Sequence, residues 1–141
     1  GQGGASAEIW SWGHRNILGM DWDAQGRLWE VEHGPEGGDE LNLVEAGANY
    51  GWPVRSNGDH YDGENIPDHS ADDGFAKPAI DLIAGLAAEA LVRVSIDGAT
   101  ATEAARYKLG GRLRSVDEGP DGALWVLEDG PDARLLKVTA K

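Results

Sequence analysis

Apolar and polar positions alternate in short runs along this chain, and Gly, Asp, Asn or Pro separates one run from the next. Leu28-Trp29-Glu30-Val31 and Leu124-Trp125-Val126-Leu127 are the clearest runs. Both are rich in apolar and β-favouring residues, as inner strands are. Gln25-Gly26 and Asp121-Gly122 stand just before them and supply the glycine that a hairpin turn or bulge needs at positive φ. Further strands are predicted over Glu40–Val44, Ala90–Ile96, Ala104–Leu109, Leu113–Val116 and Arg134–Thr139. Ala84–Leu91 has a helix-favouring Ala content, but Gly85 and the strand-like Leu91–Val94 flank it, and a strand is expected there. Residues 56–77 are polar and rich in Gly, Asp, Asn and Pro. They read as one long loop, a feature that compact domains keep mainly for function.

Two of these segments are copies of one pattern. The run D-W-D-A-Q-G-R-L-W-E-V-E-H-G-P from Asp21 to Pro35 is matched by D-E-G-P-D-G-A-L-W-V-L-E-D-G-P from Asp117 to Pro131. Asp, Gly, Leu, Trp, Glu, Gly and Pro recur in register, about 96 residues apart. Propeller blades recur every ~40–50 residues, so the shift corresponds to two blades. The fold class expected is therefore all-β: β-propeller blades, about three of them in residues 1–141, forming a partial propeller domain.

Composition narrows the function classes. The chain has 141 residues, 40% of them hydrophobic, and a formal net charge of −13. Such a charge argues against a nucleic-acid partner, which needs clustered Lys and Arg. It suits hard cations bound through oxygen, and equally a solvated acidic surface. With no Cys, thiolate chemistry, disulfides and Cys-based zinc sites are excluded. No run of about 18 apolar residues is present, so no helical membrane span is expected. The chain opens on Gly1 without a leader pattern.

Several motifs compete for the same residues. Asp21, Asp23, Gln25, Gly26 and Glu32 nearly fit the calcium-loop pattern D-x-[DN]-x-[DN]-G-x5-E, and Asp117, Asp121, Gly122 and Glu128 fit it less well. That loop needs a helix on each side. The flanks here are extended, and a blade hairpin accounts for the residues better. His14, His33, His60 and His69 show no short metal-ligand spacing, and His60 and His69 read as ordinary surface residues of an acidic loop. Neither G-x-S-x-G nor a phosphate-binding glycine loop occurs.

Four uncommon words then follow one another closely. They are Glu8-Ile9-Trp10-Ser11-Trp12-Gly13-His14-Arg15-Asn16, Glu32-His33-Gly34-Pro35, Gly38-Asp39-Glu40-Leu41-Asn42 and Asn49-Tyr50-Gly51-Trp52-Pro53. In this order they resemble the glucose/sorbosone dehydrogenase family, whose members include soluble aldose dehydrogenases that use pyrroloquinoline quinone (PQQ). Gly111-Arg112-Leu113-Arg114 followed by Gly119-Pro120-Asp121-Gly122 resembles the family's last blades. The likeness covers most of residues 8–139 and weakens between Asp59 and Leu82.

The resemblance implies a six-bladed propeller of which this chain is the C-terminal portion, completed by upstream blades or by a second chain, and a periplasmic or secreted location. It implies that Arg15, Asn16, Arg112 and Arg114 contact the quinone, a planar tricarboxylate that guanidinium forks suit better than ammonium groups. It places a Ca²⁺ on the backbone carbonyls of Gly34 and Pro35, as a Lewis acid towards the quinone. A second, structural Ca²⁺ is implied at the Glu40 carboxylate and the Tyr50 carbonyl. Two family features have no counterpart here: the general-base His of earlier blades, and a cofactor-contacting Lys whose position falls near Ala87. A strand-bearing stretch of relatives is also skipped between Ile80 and Leu86. No catalytic residue is therefore assigned within the chain. An aldose is its expected substrate only when the site is completed. The alternatives are a non-catalytic, calcium-stabilised propeller fragment or interaction domain, and a calcium-binding β-domain unrelated to quinones.

Overall fold

A computed structural model describes residues 7–82 and 89–139. Every regular element among the described residues is a strand: β1 Ile17–Trp22, β2 Leu28–Glu32, β3 Asp39–Val44, β4 Ile80–Leu82, β5 Ala90–Asp97, β6 Thr100–Lys108, β7 Leu113–Glu118, β8 Leu124–Glu128 and β9 Leu135–Val138. They form three antiparallel sheets in chain order, β1-β2-β3-β4, β5-β6 and β7-β8-β9. These are propeller blades.

The sequence repeat is a structural repeat. In the first sheet Ile17 pairs with Glu32 and Trp22 with Leu28; in the third, Leu113 pairs with Glu128 and Glu118 with Leu124. Each hairpin carries a register shift at the same place, between Ile17 and Gly19 and between Leu113 and Ser115. Each turn closes on its glycine, Gly26 at φ 76° and Gly122 at φ 73°, a conformation that costs an L side chain energy.

Trp29, Leu41 and Ala101 form the buried core, with Val31, Leu43, Val92 and Val94 packed around them. The apolar face of β2–β3 thus lies against the β5–β6 hairpin. A cavity of about 270 Å³ opens where all three sheets meet, lined by Leu18, Val31, Leu41, Val92, Leu113 and Val126 among others. Burying such faces is the main stabilising term, on the order of 25 cal/mol per Å².

Two expectations change and one is upheld. β1 and β4 were not anticipated: β1 is almost wholly exposed along its length and so lacks a clean alternation. The blade hairpin is upheld over the calcium loop, because strands bracket Gly26 and Asp23 is committed to its own turn. Its Oδ1 accepts from the N–H groups of Gln25 and Arg27, and its Oδ2 from Arg27 Nε and Trp29 Nε1. His69 is not a surface residue, since its side chain is only 5% exposed beside Asp73. The residues around Ala87 lie outside the described ones, as does most of Ala84–Leu91.

The Asp23 turn gives a pH test. Partial burial pushes its carboxyl up, but donation from the Arg27 N–H, the Trp29 indole, the Arg27 side chain and the Gln25 N–H outweighs this and brings it down to about 2. A carboxyl lowered on folding adds stability that is present above its unfolded value of ~3.9 and lost as pH falls through the folded value. The difference in urea midpoint between the protein and Asp23→Asn is expected to be constant above pH ~4 and to shrink steadily towards pH ~2. A gap that does not change with pH would assign the turn's strength to something other than this charge.

Candidate functional site

The segment before β1 is sewn to the segment after β3. Trp12 N donates to Ala48 O, Tyr50 N to Trp12 O and Trp52 N to Gly13 O, at 2.8–3.1 Å. This parallel run sets His14 and Arg15 over the end of the first sheet. Arg15 Nη1 donates to His33 O at 2.8 Å and to Gly34 O at 2.9 Å. Its guanidinium carbon lies 5.2 Å from the Trp52 ring centre and 5.7 Å from that of Tyr61, within cation–π range. The cation is therefore held close to two aromatic rings and to main-chain oxygens.

The loop carrying those oxygens is held by Asp39. Asp39 Oδ1 accepts from Gly34 N at 2.9 Å and lies 2.7 Å from His33 Nδ1. Glu36 and Asp59 form a backbone bridge that ties this loop to the long polar loop. That polar loop is itself folded around a buried Asp73, which receives N–H bonds from Ser70 and Phe75 and lies beside Lys77, Arg55 and His69.

In the third sheet Arg112 Nη2 is 3.1 Å from Asp129 Oδ2 and Arg114 Nε donates to Asp129 Oδ1 at 2.9 Å. Asp129 collects both guanidinium groups, and each arginine side chain remains 55% exposed. The two hairpins relate these residues to the first group. Asn16 O accepts from His33 N, and Arg112 O accepts from Asp129 N, the same bond at the same point of each blade. Leu18 and Gly19 of β1 and Leu113 to Val116 of β7 line the same cavity, so Asn16 and Arg112 stand at corresponding ends of neighbouring strands.

Glu40 and Tyr50, the residues expected near a second calcium, are both buried. Glu40 Oε2 accepts from Asn42 Nδ2 at 3.2 Å. The Tyr50 hydroxyl donates to Leu43 O and accepts from Glu45 N. Neither Asp39 nor Glu40 ends its strand in solvent.

One group went unnoticed in the sequence. Glu30, Glu32, Glu40 and Asn42 are paired across β2 and β3 (Glu30 with Asn42, Glu32 with Glu40), and all four are buried. The first sheet therefore has an apolar face and a buried acidic one. His14 covers the acidic face, its ring stacked on Tyr50 at 4.5 Å. The Glu30 and then the Glu32 carboxylate hold its imidazole at about 9, against the effect of burial.

Successive antiparallel sheets, with a fixed cation beside main-chain oxygens at one end of the first, make up propeller blades. The glucose/sorbosone dehydrogenase family model matches residues 1–82 and 80–137, and the chain belongs to that family. It is 36% identical over 170 residues to the aldose sugar dehydrogenase YliI of Escherichia coli K12, covering 99% of this chain and 46% of that protein. The apo crystal structure of the soluble E. coli aldose sugar dehydrogenase superposes with a TM-score of 0.83 at 34% identity, over 99% of this chain and 49% of that one. The PQQ-bound aldose sugar dehydrogenase of Streptomyces coelicolor gives 0.69 at 30% identity, over 92% and 44%. The chain thus spans about half the length of the relatives it matches. The family match falls into two segments that meet at residues 80–82.

Proposed function

We propose that this chain is the C-terminal portion of a PQQ-dependent aldose dehydrogenase, and that it contributes half of the quinone site and its calcium. The observation that carries the reading is the posture of Arg15, locked onto the carbonyls of His33 and Gly34 and flanked by Trp52 and Tyr61. Among the described residues only Nη1 of its side chain makes hydrogen bonds, so the rest of the fork can meet a carboxylate. The donor set fits the group: guanidinium groups for a planar polyanion, oxygens for a hard cation.

Arg15 and Asn16 would hold the quinone from one blade, and Arg112 and Arg114 from another. The Gly34 and Pro35 carbonyls would face the Ca²⁺, and Glu40 with the Tyr50 carbonyl would hold a second one. When bound, PQQ supplies the two-electron acceptor for oxidation of a sugar hydroxyl. The residues of this chain bind and orient it; the general base would come from another segment.

The test is calorimetric titration of PQQ into the protein with and without Ca²⁺. Saturable binding that needs Ca²⁺ supports the reading, and no binding under either condition overturns it. Arg112→Ala is expected to weaken binding by only about 1–2 kcal/mol, because a half-exposed charge that already shares Asp129 is well screened. An unchanged affinity would remove Arg112 from the site.

A further inference from the structure

We propose that His14, Glu30 and Glu32 form a site for one first-row divalent transition-metal ion, of which Zn²⁺ is the probe, beneath the loop that carries Arg15. The three residues present one imidazole nitrogen and two carboxylate oxygens, all within 4.8 Å of one another. His14 Nδ1 is 3.3 Å from Glu30 Oε1 and 3.6 Å from Glu32 Oε2. Charge-assisted hydrogen bonds between such groups close to about 2.7–2.9 Å. Ligand atoms held at 2.0–2.1 Å around a tetrahedral Zn²⁺ are instead about 3.3–3.5 Å apart. The two imidazole–carboxylate separations lie close to that ligand spacing.

Buried atoms without partners point the same way. Among the described residues His14 Nδ1, Glu30 Oε2 and Asn42 Oδ1 are buried and make no hydrogen bond. The Glu30 side chain is fully buried, at 0% exposure, and its other oxygen takes a bond from Asn42 Nδ2 at 2.7 Å. Buried polar atoms rarely stay unpaired; of the oxygens nearest His14, Glu30 Oε1 accepts only from Asn42 and Glu32 Oε2 from the Arg15 N–H among the described residues. On the far side of the ring, Ser11 Oγ lies 2.9 Å from His14 Nε2. With Nε2 donating to that hydroxyl, an ion that displaces the Nδ1 proton would take Nδ1 as its ligand, the outer-shell arrangement common to metal-binding histidines.

The donor set selects the ion. Ca²⁺ and Mg²⁺ take oxygen ligands, whereas an imidazole with two carboxylates suits Zn²⁺ and its neighbours and leaves a fourth position open. The site is thereby distinct in chemistry from the calcium proposed at Glu40 and Tyr50, and it does not depend on the quinone.

The experiment is titration of the full chain with Zn²⁺ in excess Ca²⁺, followed by calorimetry and by ¹⁵N NMR of labelled histidine. One Zn²⁺ per chain is expected, with the His14 Nδ1 resonance shifted by coordination while the ion is bound. Glu30→Gln, close to isosteric and checked for folding by circular dichroism, is expected to weaken Zn²⁺ about 100-fold or more, since even outer-shell losses reach 10–100-fold. The NMR measurement needs no variant and stands even if Glu30→Gln misfolds. Absence of Zn²⁺ binding, displacement of Zn²⁺ by Ca²⁺, coordination at another histidine, or a folded Glu30→Gln that binds as tightly would each overturn the proposal.

Discussion

Gly34→Ala is expected to lose about 3 kcal/mol of stability in urea denaturation, and PQQ binding with it. A β-carbon at residue 34 would stand 2.3 Å from Gly37 O and 2.4 Å from Gly38 O, far inside van der Waals contact. Ordinarily a loop relaxes around one methyl group. Here the obstructing backbone is itself pinned, because Glu36 and Asp59 exchange backbone hydrogen bonds and Gly38 packs so closely on residues 57 and 58 that its own β-carbon would find no room. The remaining way to relieve the clash is to move Gly34, which breaks its N–H bond to Asp39 and its carbonyl's bond from Arg15. Stability and the cofactor site should therefore fall together. Gly19→Ala, whose β-carbon would meet nothing within 4 Å, is the control and should change stability by no more than about 0.5 kcal/mol. A Gly34→Ala loss below about 1 kcal/mol would mean that the 33–38 loop is soft and unable to preorganise its carbonyls.

What the sequence disclosed follows from how local each signal is. The hairpins around Gly26 and Gly122 were legible because turn glycine, alternation and the Leu-Trp step all fall within one window, and the repeat supplied a second copy. β1 was not: Ile17–Trp22 carries a glycine and exposes both faces, so no periodicity marks it. Arg15, Asn16, Gly34 and Pro35 were found through family words, not spacing. The His14 cluster escaped both routes. Glu30 and Glu32 sit on the polar phase of an alternating strand, which ordinarily faces water. The pairing of residues 12–13 with residues 48–52 brings His14 over that face, and pairing across β2 and β3 then gathers carboxylates that lie far from His14 in the chain. His69 shows the same limit, since its burial comes from the fold of the long loop around Asp73.

Arg15→Ala should show the opposite division of effects from Gly34→Ala: a loss of about 2–5 kcal/mol in PQQ affinity for a stability change of only about 1 kcal/mol. Two part-buried carbonyl bonds leave with the guanidinium, but both acceptors are neutral, and water can substitute for the donor at the half-buried His33. The backbone N–H of Arg15, which bonds Glu32, is untouched by the substitution. Binding has no such substitute, because a fixed, flanked cation aimed at an anionic ligand has already lost the freedom that a mobile side chain would surrender on binding. Arg15→Lys separates charge from shape. Lys keeps the charge but has no second, coplanar nitrogen to meet a carboxylate while the first bonds the two carbonyls, so it should recover only part of the affinity, remaining roughly tenfold weaker than Arg. Full recovery with Lys would reduce Arg15 to a point charge; an affinity unmoved by Ala, in a protein that still binds the quinone, would take the residue out of the site.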